Sequence, residues 1–180
     1  MVKRHGPWTI EAGEQKYKNG WIEVIEDRVT MPDGKPGSFT TVQMRPGVSV
    51  LAVDTDNFVY LTSEFRYAIG QDSVEVVSGA IDEDEEPLDA ARRELREEVG
   101  IEAGEWSDLG LVNPFTSVVK SPAHLFLARS LSFTDVERES TEIIRVMRLK
   151  FDEAVEMVME SKITHGPSCV LILKALRHLA

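Results

Sequence analysis

Early in the chain, apolar and polar residues alternate as they do along a half-buried strand. Trp21, Glu23 and Ile25 alternate with Ile22, Val24 and Glu26, and the run Met31-Pro32-Asp33-Gly34-Lys35-Pro36-Gly37 precedes a second such stretch at 39–44. Alternation on both sides of a Gly/Pro-rich turn predicts an N-terminal β-hairpin. Residues 48–53 and 58–65 form a second β pair, joined by the polar turn Asp54-Thr55-Asp56-Asn57, and a short strand follows at 73–77. Between Pro87 and Val99 the period changes: Leu88, Ala91, Leu95 and Val99 recur at helical spacing, Pro87 suits the first helical position and Gly100 the C-terminal cap. Strands resume at 109–112, 124–128 and 142–149, and helices are expected over 152–161, with Asp152 as N-cap, and over 167–179. Strands and helices in this order, without regular βαβ alternation, predict an α/β sandwich with a mixed sheet.

Composition narrows the class. A chain of 180 residues with 42% hydrophobic content predicts one domain spanning 1–180, with strands in 1–45 and the core in 46–180. No apolar run approaches the length that spans a bilayer and the first residues lack a secretory apolar stretch, so a cytoplasmic protein with no membrane partner is expected. Cys169 is the only cysteine, which excludes an internal disulfide and a cysteine-built zinc site. His5, His124, His165 and His178 have no metal-ligand spacing to one another and are expected to be structural or solvent-facing. The formal net charge of -11 argues against a nucleic-acid partner, because backbone phosphates require clustered Lys and Arg. Carboxylates that hold divalent cations reverse that conclusion for small phosphates.

The helix at 87–99 concentrates such carboxylates. At about 100° per residue, Glu94, Glu97 and Glu98 share one face beside the apolar stripe, whereas Arg92 and Arg96 fall on the far side. Like charges four apart cost roughly 0.2–0.5 kcal/mol per pair. A divalent metal removes that cost, and magnesium bound to carboxylate oxygens keeps positions open for substrate phosphates. Both Glu97 and Glu98 are expected to face solvent and metal. Arg93 has the spacing to pair with Glu97, and Glu85 precedes the helix where it could brace the loop and Arg93. Composition alone would make such a face an ordinary solvated one.

The whole pattern resembles a known family. Gly79, five residues, Glu85, seven residues, Arg93-Glu94-Leu95, one residue, Glu97-Glu98, one residue and Gly100-Ile101 match the Nudix box at every defined position over 23 residues. The resemblance implies an α/β/α sandwich whose loop–helix unit binds magnesium or manganese, with Glu94 and Glu98 as principal ligands, Glu97 as a further one, and a backbone carbonyl at Ser78. Glu64-Phe65-Arg66-Tyr67 with Glu75, and His124-Leu125-Phe126-Leu127-Ala128, look like the ADP-ribose pyrophosphatase branch. That branch implies a homodimer in which N-terminal strands complete the neighbour's site, with Arg66 and Glu75 placed to touch substrate; an ordinary cross-strand ion pair is the competing role for those two. Thr116 stands where ADP-ribose-specific members often carry a proline, so ADP-ribose is one candidate among nucleoside diphosphate sugars.

Diphosphate hydrolysis needs an activated water, neutralisation of charge developing on phosphorus and a stabilised leaving phosphate, which two or more metal ions can supply. The proton-accepting carboxylate is expected in the acidic stretch at 136–142, at Glu142 first and Glu139 second, with an acidic surface loop as the alternative. The other functions that fit are a nucleotide-sensing module without catalysis and a pyrophosphatase for oxidised nucleoside triphosphates. Retention of Glu85, Glu94, Glu97 and Glu98 favours the enzyme.

Overall fold

The computed structural model describes residues 2–135 and 143–179. They divide into two compact units, Met1–Arg45 with Asn113–Ser121, and Pro46–Val112 with Pro122–Ala180.

The first unit is a five-stranded sheet in the order β1 (Lys3–His5), β2 (Trp8–Lys18), β3 (Ile22–Thr30), β4 (Pro36–Met44) and β9 (Val119–Lys120). The expected hairpin is β3 and β4, paired from Ile22↔Met44 to Thr30↔Pro36. Its turn closes through Met31 N–H to Lys35 O at 2.8 Å, with Gly34 at φ 82, a left-handed conformation that glycine adopts without a Cβ penalty. β2 was not legible in the sequence, because after its first three residues every position is exposed. No buried face imposes an apolar alternation there.

The second unit is a six-stranded mixed sheet in the order β11 (Arg145–Lys150), β6 (Phe58–Arg66), β7 (Gln71–Ala80), β5 (Gly47–Val53), β10 (Ala123–Phe133) and β8 (Ile101–Val112). Among the described residues, only the β5–β10 pairing in it is parallel. Alternate residues of β5 enter separate cores. Val48, Val50 and Ala52 pack with Ala90, Ala91 and Leu95 of α1 (Pro87–Val99), whereas Leu51 and Val53 pack with Ala154 of α2 (Phe151–Met159) and Leu171, Ile172 and Ala175 of α3 (Gly166–Leu179). A sheet apolar on both faces with helices on each is the expected α/β/α sandwich.

The pair predicted from 48–53 and 58–65 forms only at its closed end, Val53↔Val59 and Ala52↔Tyr60. Its turn is held by Asp54, whose carboxylate accepts the Phe58 N–H at 2.8 Å and an Arg148 N–H at 2.7 Å. Beyond it the two strands part. β7 bridges the opening, pairing first with β6 from Arg66↔Gln71 to Leu61↔Val76 and then with β5 from Val50↔Val77 to Gly47↔Ala80. Where the three strands meet, the Val76 N–H donates to Ser168 Oγ of α3 at 3.0 Å instead of to a strand carbonyl.

α1 has the predicted bounds, with Pro87 at its start and Gly100 at φ 64 donating its N–H to Arg96 O and Leu95 O. α2 starts one residue earlier than predicted, and Asp152 is not its N-cap. Lys150 holds the extended N-cap conformation without a side-chain hydrogen bond, and Asp152 lies in the first turn, where its charge suits the positive end of the helix. β8 begins at Ile101, eight positions before the predicted strand. It is an edge strand with few buried residues, so apolar pattern marks only its end. No helix among the described residues is long and apolar enough to cross a membrane.

Candidate active site

α1 follows β7 through a loop that folds back on itself. The Glu85 N–H donates to Asp82 O at 3.2 Å, and Glu85 Oε2 accepts the Asp82 N–H at 3.0 Å. The Arg93 guanidinium then locks that loop to the helix. Its Nε donates to Glu85 Oε1 and one Nη to Glu85 Oε2, both at 2.9 Å, and the same Nη reaches Ala80 O at 3.0 Å. Its other Nη donates to Glu94 Oε1 at 2.7 Å and Glu97 Oε2 at 3.3 Å. The planar fork of arginine serves this arrangement as the ammonium of lysine cannot. Hydrogen bonding from Arg93 holds the Glu85 carboxyl below the ordinary carboxylate range.

Gly79 explains itself geometrically. A Cβ built there would collide with the Glu94 carboxylate, so the strand end at Gly79 is the seat on which that carboxylate rests. Ser78, one residue earlier, uses its hydroxyl elsewhere, donating to Val76 O at 3.0 Å and lying 3.0 Å from Ser49 Oγ. What it can offer a cation is its backbone carbonyl.

Glu98 departs from expectation. It is buried, at 7% exposure, rather than solvent-facing. On the helical wheel it lies only about 20° from Ala91, at the border between the carboxylate face and the apolar stripe that packs on the sheet. Glu97, further round, keeps a side chain one-third exposed. Among the described residues, no three carboxylate, histidine or cysteine side chains already converge on one ion position. Glu94 and Glu97 are instead drawn to Arg93.

Arg66 and Glu75 form a bidentate ion pair across β6 and β7, Nε to Oε1 at 3.1 Å and Nη2 to Oε2 at 2.8 Å, with Nη1 on Glu64 at 2.8 Å. Burial alone would raise the Glu75 carboxyl, but the Arg66 hydrogen bonds and the nearby His165 hold it below its ordinary value. The hydrogen bonds to Glu75, and with them the charges of Glu75, Glu64 and Glu98, raise Arg66. Of the α1 carboxylates, Glu98 is the one whose charge reaches the pair. The geometry is that of the cross-strand ion pair weighed in the sequence, and each guanidinium nitrogen of Arg66 has a carboxylate partner. Glu139 and Glu142 lie outside the described residues.

His165, expected to be structural or solvent-facing, and Ser168, given no role in the sequence, both join this network. His165 Nδ1 lies 2.8 Å from Ser168 Oγ and 3.4 Å from Glu75 Oε2. The available signal was the polar pair Thr164-His165 immediately before an apolar helix, with Ser168 in that helix's first turn.

Comparison with known proteins agrees with this geometry. The family described as NUDIX domain matches residues 43–167, and the nucleoside diphosphate sugar hydrolase N-terminal domain matches residues 8–42. An ADP-ribose pyrophosphatase of Bacillus subtilis (strain 168) is 29% identical over 149 residues, 82% of this chain and 80% of its own length. A methanol dehydrogenase activator of Bacillus methanolicus is 24% identical, over 88% of this chain and 87% of its own length. A crystal structure of an ADP compounds hydrolase superposes with a TM-score of 0.84 over 98% of this chain and 96% of that one, at 20% identity, a likeness of fold. The NUDIX match takes in Gly79, Arg93 and every carboxylate gathered around them, and on that ground the chain belongs to the Nudix family.

Proposed function

We propose that this chain hydrolyses the diphosphate bond of a nucleoside diphosphate sugar, ADP-ribose foremost, releasing a nucleoside monophosphate and a sugar phosphate. The observation that carries this is the Glu94 carboxylate seated on Gly79 beside the buried Glu98, on a loop–helix unit locked by Arg93. The relation to an ADP-ribose pyrophosphatase supports the substrate class.

Nudix hydrolases need divalent metal ions. The donors present are carboxylate oxygens and a peptide carbonyl, which suit magnesium, with manganese also accommodated. Glu94 and Glu98 would hold the ion, with Glu97 and the Ser78 carbonyl as further donors. When bound, the cation lowers the pKa of a water and offsets the charge on phosphate oxygens. The chain's own residues do the rest. Arg93 and Glu85 fix the ligand-bearing turn against Gly79, Arg66 grips a phosphate oxygen through charge-assisted hydrogen bonds, and Glu75 orients Arg66. Glu142 accepts the proton of the attacking water, with Glu139 as the second choice, on the grounds of sequence alone. We infer also that the protein works in the cytoplasm as a homodimer through residues 1–45.

Phosphate-coupled hydrolysis of ADP-ribose, GDP-mannose, UDP-glucose, NADH, a dinucleoside polyphosphate and 8-oxo-dGTP, each with magnesium and with chelator, tests the function. Cleavage of a nucleoside diphosphate sugar only with metal is expected. Preferential turnover of 8-oxo-dGTP would replace the substrate, and nucleotide binding without any turnover would replace the enzyme by a sensor.

A further inference from the structure

Behind the Arg66–Glu75 pair stands a second layer of polar groups. Glu75 is 4% exposed and its two oxygens are heavily committed: Oε1 accepts Arg66 Nε, and Oε2 accepts Arg66 Nη2 and faces His165 Nδ1 at 3.4 Å. Ser168 is fully buried, accepts the Val76 N–H, and lies 2.8 Å from the same Nδ1. Proton bookkeeping selects the tautomer. An unprotonated Nδ1 would set its lone pair against an ionised carboxylate oxygen, whereas an Nδ1–H can be shared between Ser168 Oγ and Glu75 Oε2. Burial also disfavours the charged imidazolium. At neutral pH His165 is therefore uncharged, with its proton on Nδ1, aimed at the carboxylate that orients Arg66.

From this geometry we infer that His165, anchored by Ser168, is a positioning residue for Arg66: it fixes Glu75 from behind and so sets the plane of the guanidinium that meets the substrate diphosphate. This rests on Arg66 touching substrate, as proposed above. The imidazole does not reach the reacting atoms. Its effect runs through Glu75, at the junction where β5, β6 and β7 meet and where α3 begins. Glu64 holds Nη1, while Nε and Nη2 follow the Glu75 carboxylate, so a neutral donor that backs Glu75 keeps that side of the fork directed.

The test is a double-mutant cycle on hydrolysis of ADP-ribose with magnesium, or of whichever nucleoside diphosphate sugar the panel selects. The cycle uses Arg66→Ala, His165→Leu and the double variant, with thermal midpoints measured alongside. His165→Leu is expected to raise KM about tenfold, the equivalent of roughly 1.4 kcal/mol, with kcat little changed. In the Arg66→Ala background the same substitution should add almost nothing, because the group it positions is gone. His165→Asn, which presents an N–H at the δ position, should recover most of the loss. Additive effects of the two substitutions, a fall in kcat at unchanged KM, or no rescue by Asn at an unchanged thermal midpoint would each overturn the positioning role. An unchanged KM in Arg66→Ala alone would instead remove the substrate contact of Arg66, a separate failure. If His165→Leu does not fold, Ser168→Ala replaces it in the cycle with the same expectation, and additivity there overturns the proposal.

Discussion

At the scale of single residues, the locked turn makes sharp predictions. Gly79→Ala inserts a methyl where the Glu94 carboxylate rests, and that carboxylate, as the end of a flexible side chain, can swing away. The fold should survive at a cost of about 1–3 kcal/mol while activity falls, seen as a small loss in thermal midpoint beside a large loss in kcat. Wild-type activity in that variant would contradict the seating of Glu94. Arg93→Lys keeps the charge but cannot bridge Glu85, Ala80, Glu94 and Glu97 at once. A rise on the order of 10- to 100-fold in the magnesium concentration needed for half activity is expected, and an unchanged metal requirement would deny Arg93 its bracing role. Glu97→Gln and Glu98→Gln should both lose turnover with the fold intact. Gly79, Glu85, Arg93 and the three glutamates were legible in the sequence because one helix and one loop hold them, and local periodicity fixes relative positions over such short spans. The burial of Glu98 was not, since it depends on how far round the helix the sheet reaches.

Among elements, the junction of β5, β6 and β7 with α3 is where stability and pH meet. Ser168→Ala leaves the buried Val76 N–H without its partner and should cost about 1–3 kcal/mol in denaturant unfolding. The acid sensitivity has a definite sign. His165 has its folded pKa lowered by burial, so its contribution is complete above its unfolded value and begins to be lost as pH falls below about 6.5. Glu75, lowered by Arg66 and His165 against the effect of burial, follows the same direction, its contribution lost as pH falls below about 4.3 toward its folded value. Unfolding free energy should therefore fall in two stages on acidification, and His165→Asn should remove the earlier one. An acid limb identical in His165→Asn and wild type would contradict this. The hairpin of β3 and β4 and the bounds of α1 were legible because turn chemistry and helical period are local. The interruption of the β5–β6 pair by β7 was not, because strand order is decided by long-range pairing that leaves no mark in either strand's own pattern.

For the molecule as a whole, a net charge of -11 and a cation-dependent site predict that metal acts on stability as well as on rate. Magnesium at about 100 times its dissociation constant should raise unfolding free energy by roughly 2.7 kcal/mol in wild type and not in Glu98→Gln, measured by thermal unfolding with and without chelator. An equal rise in both would place the bound ion elsewhere. Light scattering should give the mass of a homodimer, and a monomer at assay concentrations would remove the role given to residues 1–45. By itself the sequence determined how the chemical groups are laid out along the loop and helix: which carboxylates share a face and which arginine pairs with Glu97 and Glu85, because the box is contiguous and its helix periodic. Only the tertiary structure decided what stands behind that chemistry. His165 and Ser168 lie far along the chain from Glu75 and Val76, and they meet because two apolar cores pack on opposite faces of one sheet and carry the start of α3 to the strand junction. Contacts of that kind depend on packing between distant segments, and local pattern does not encode them.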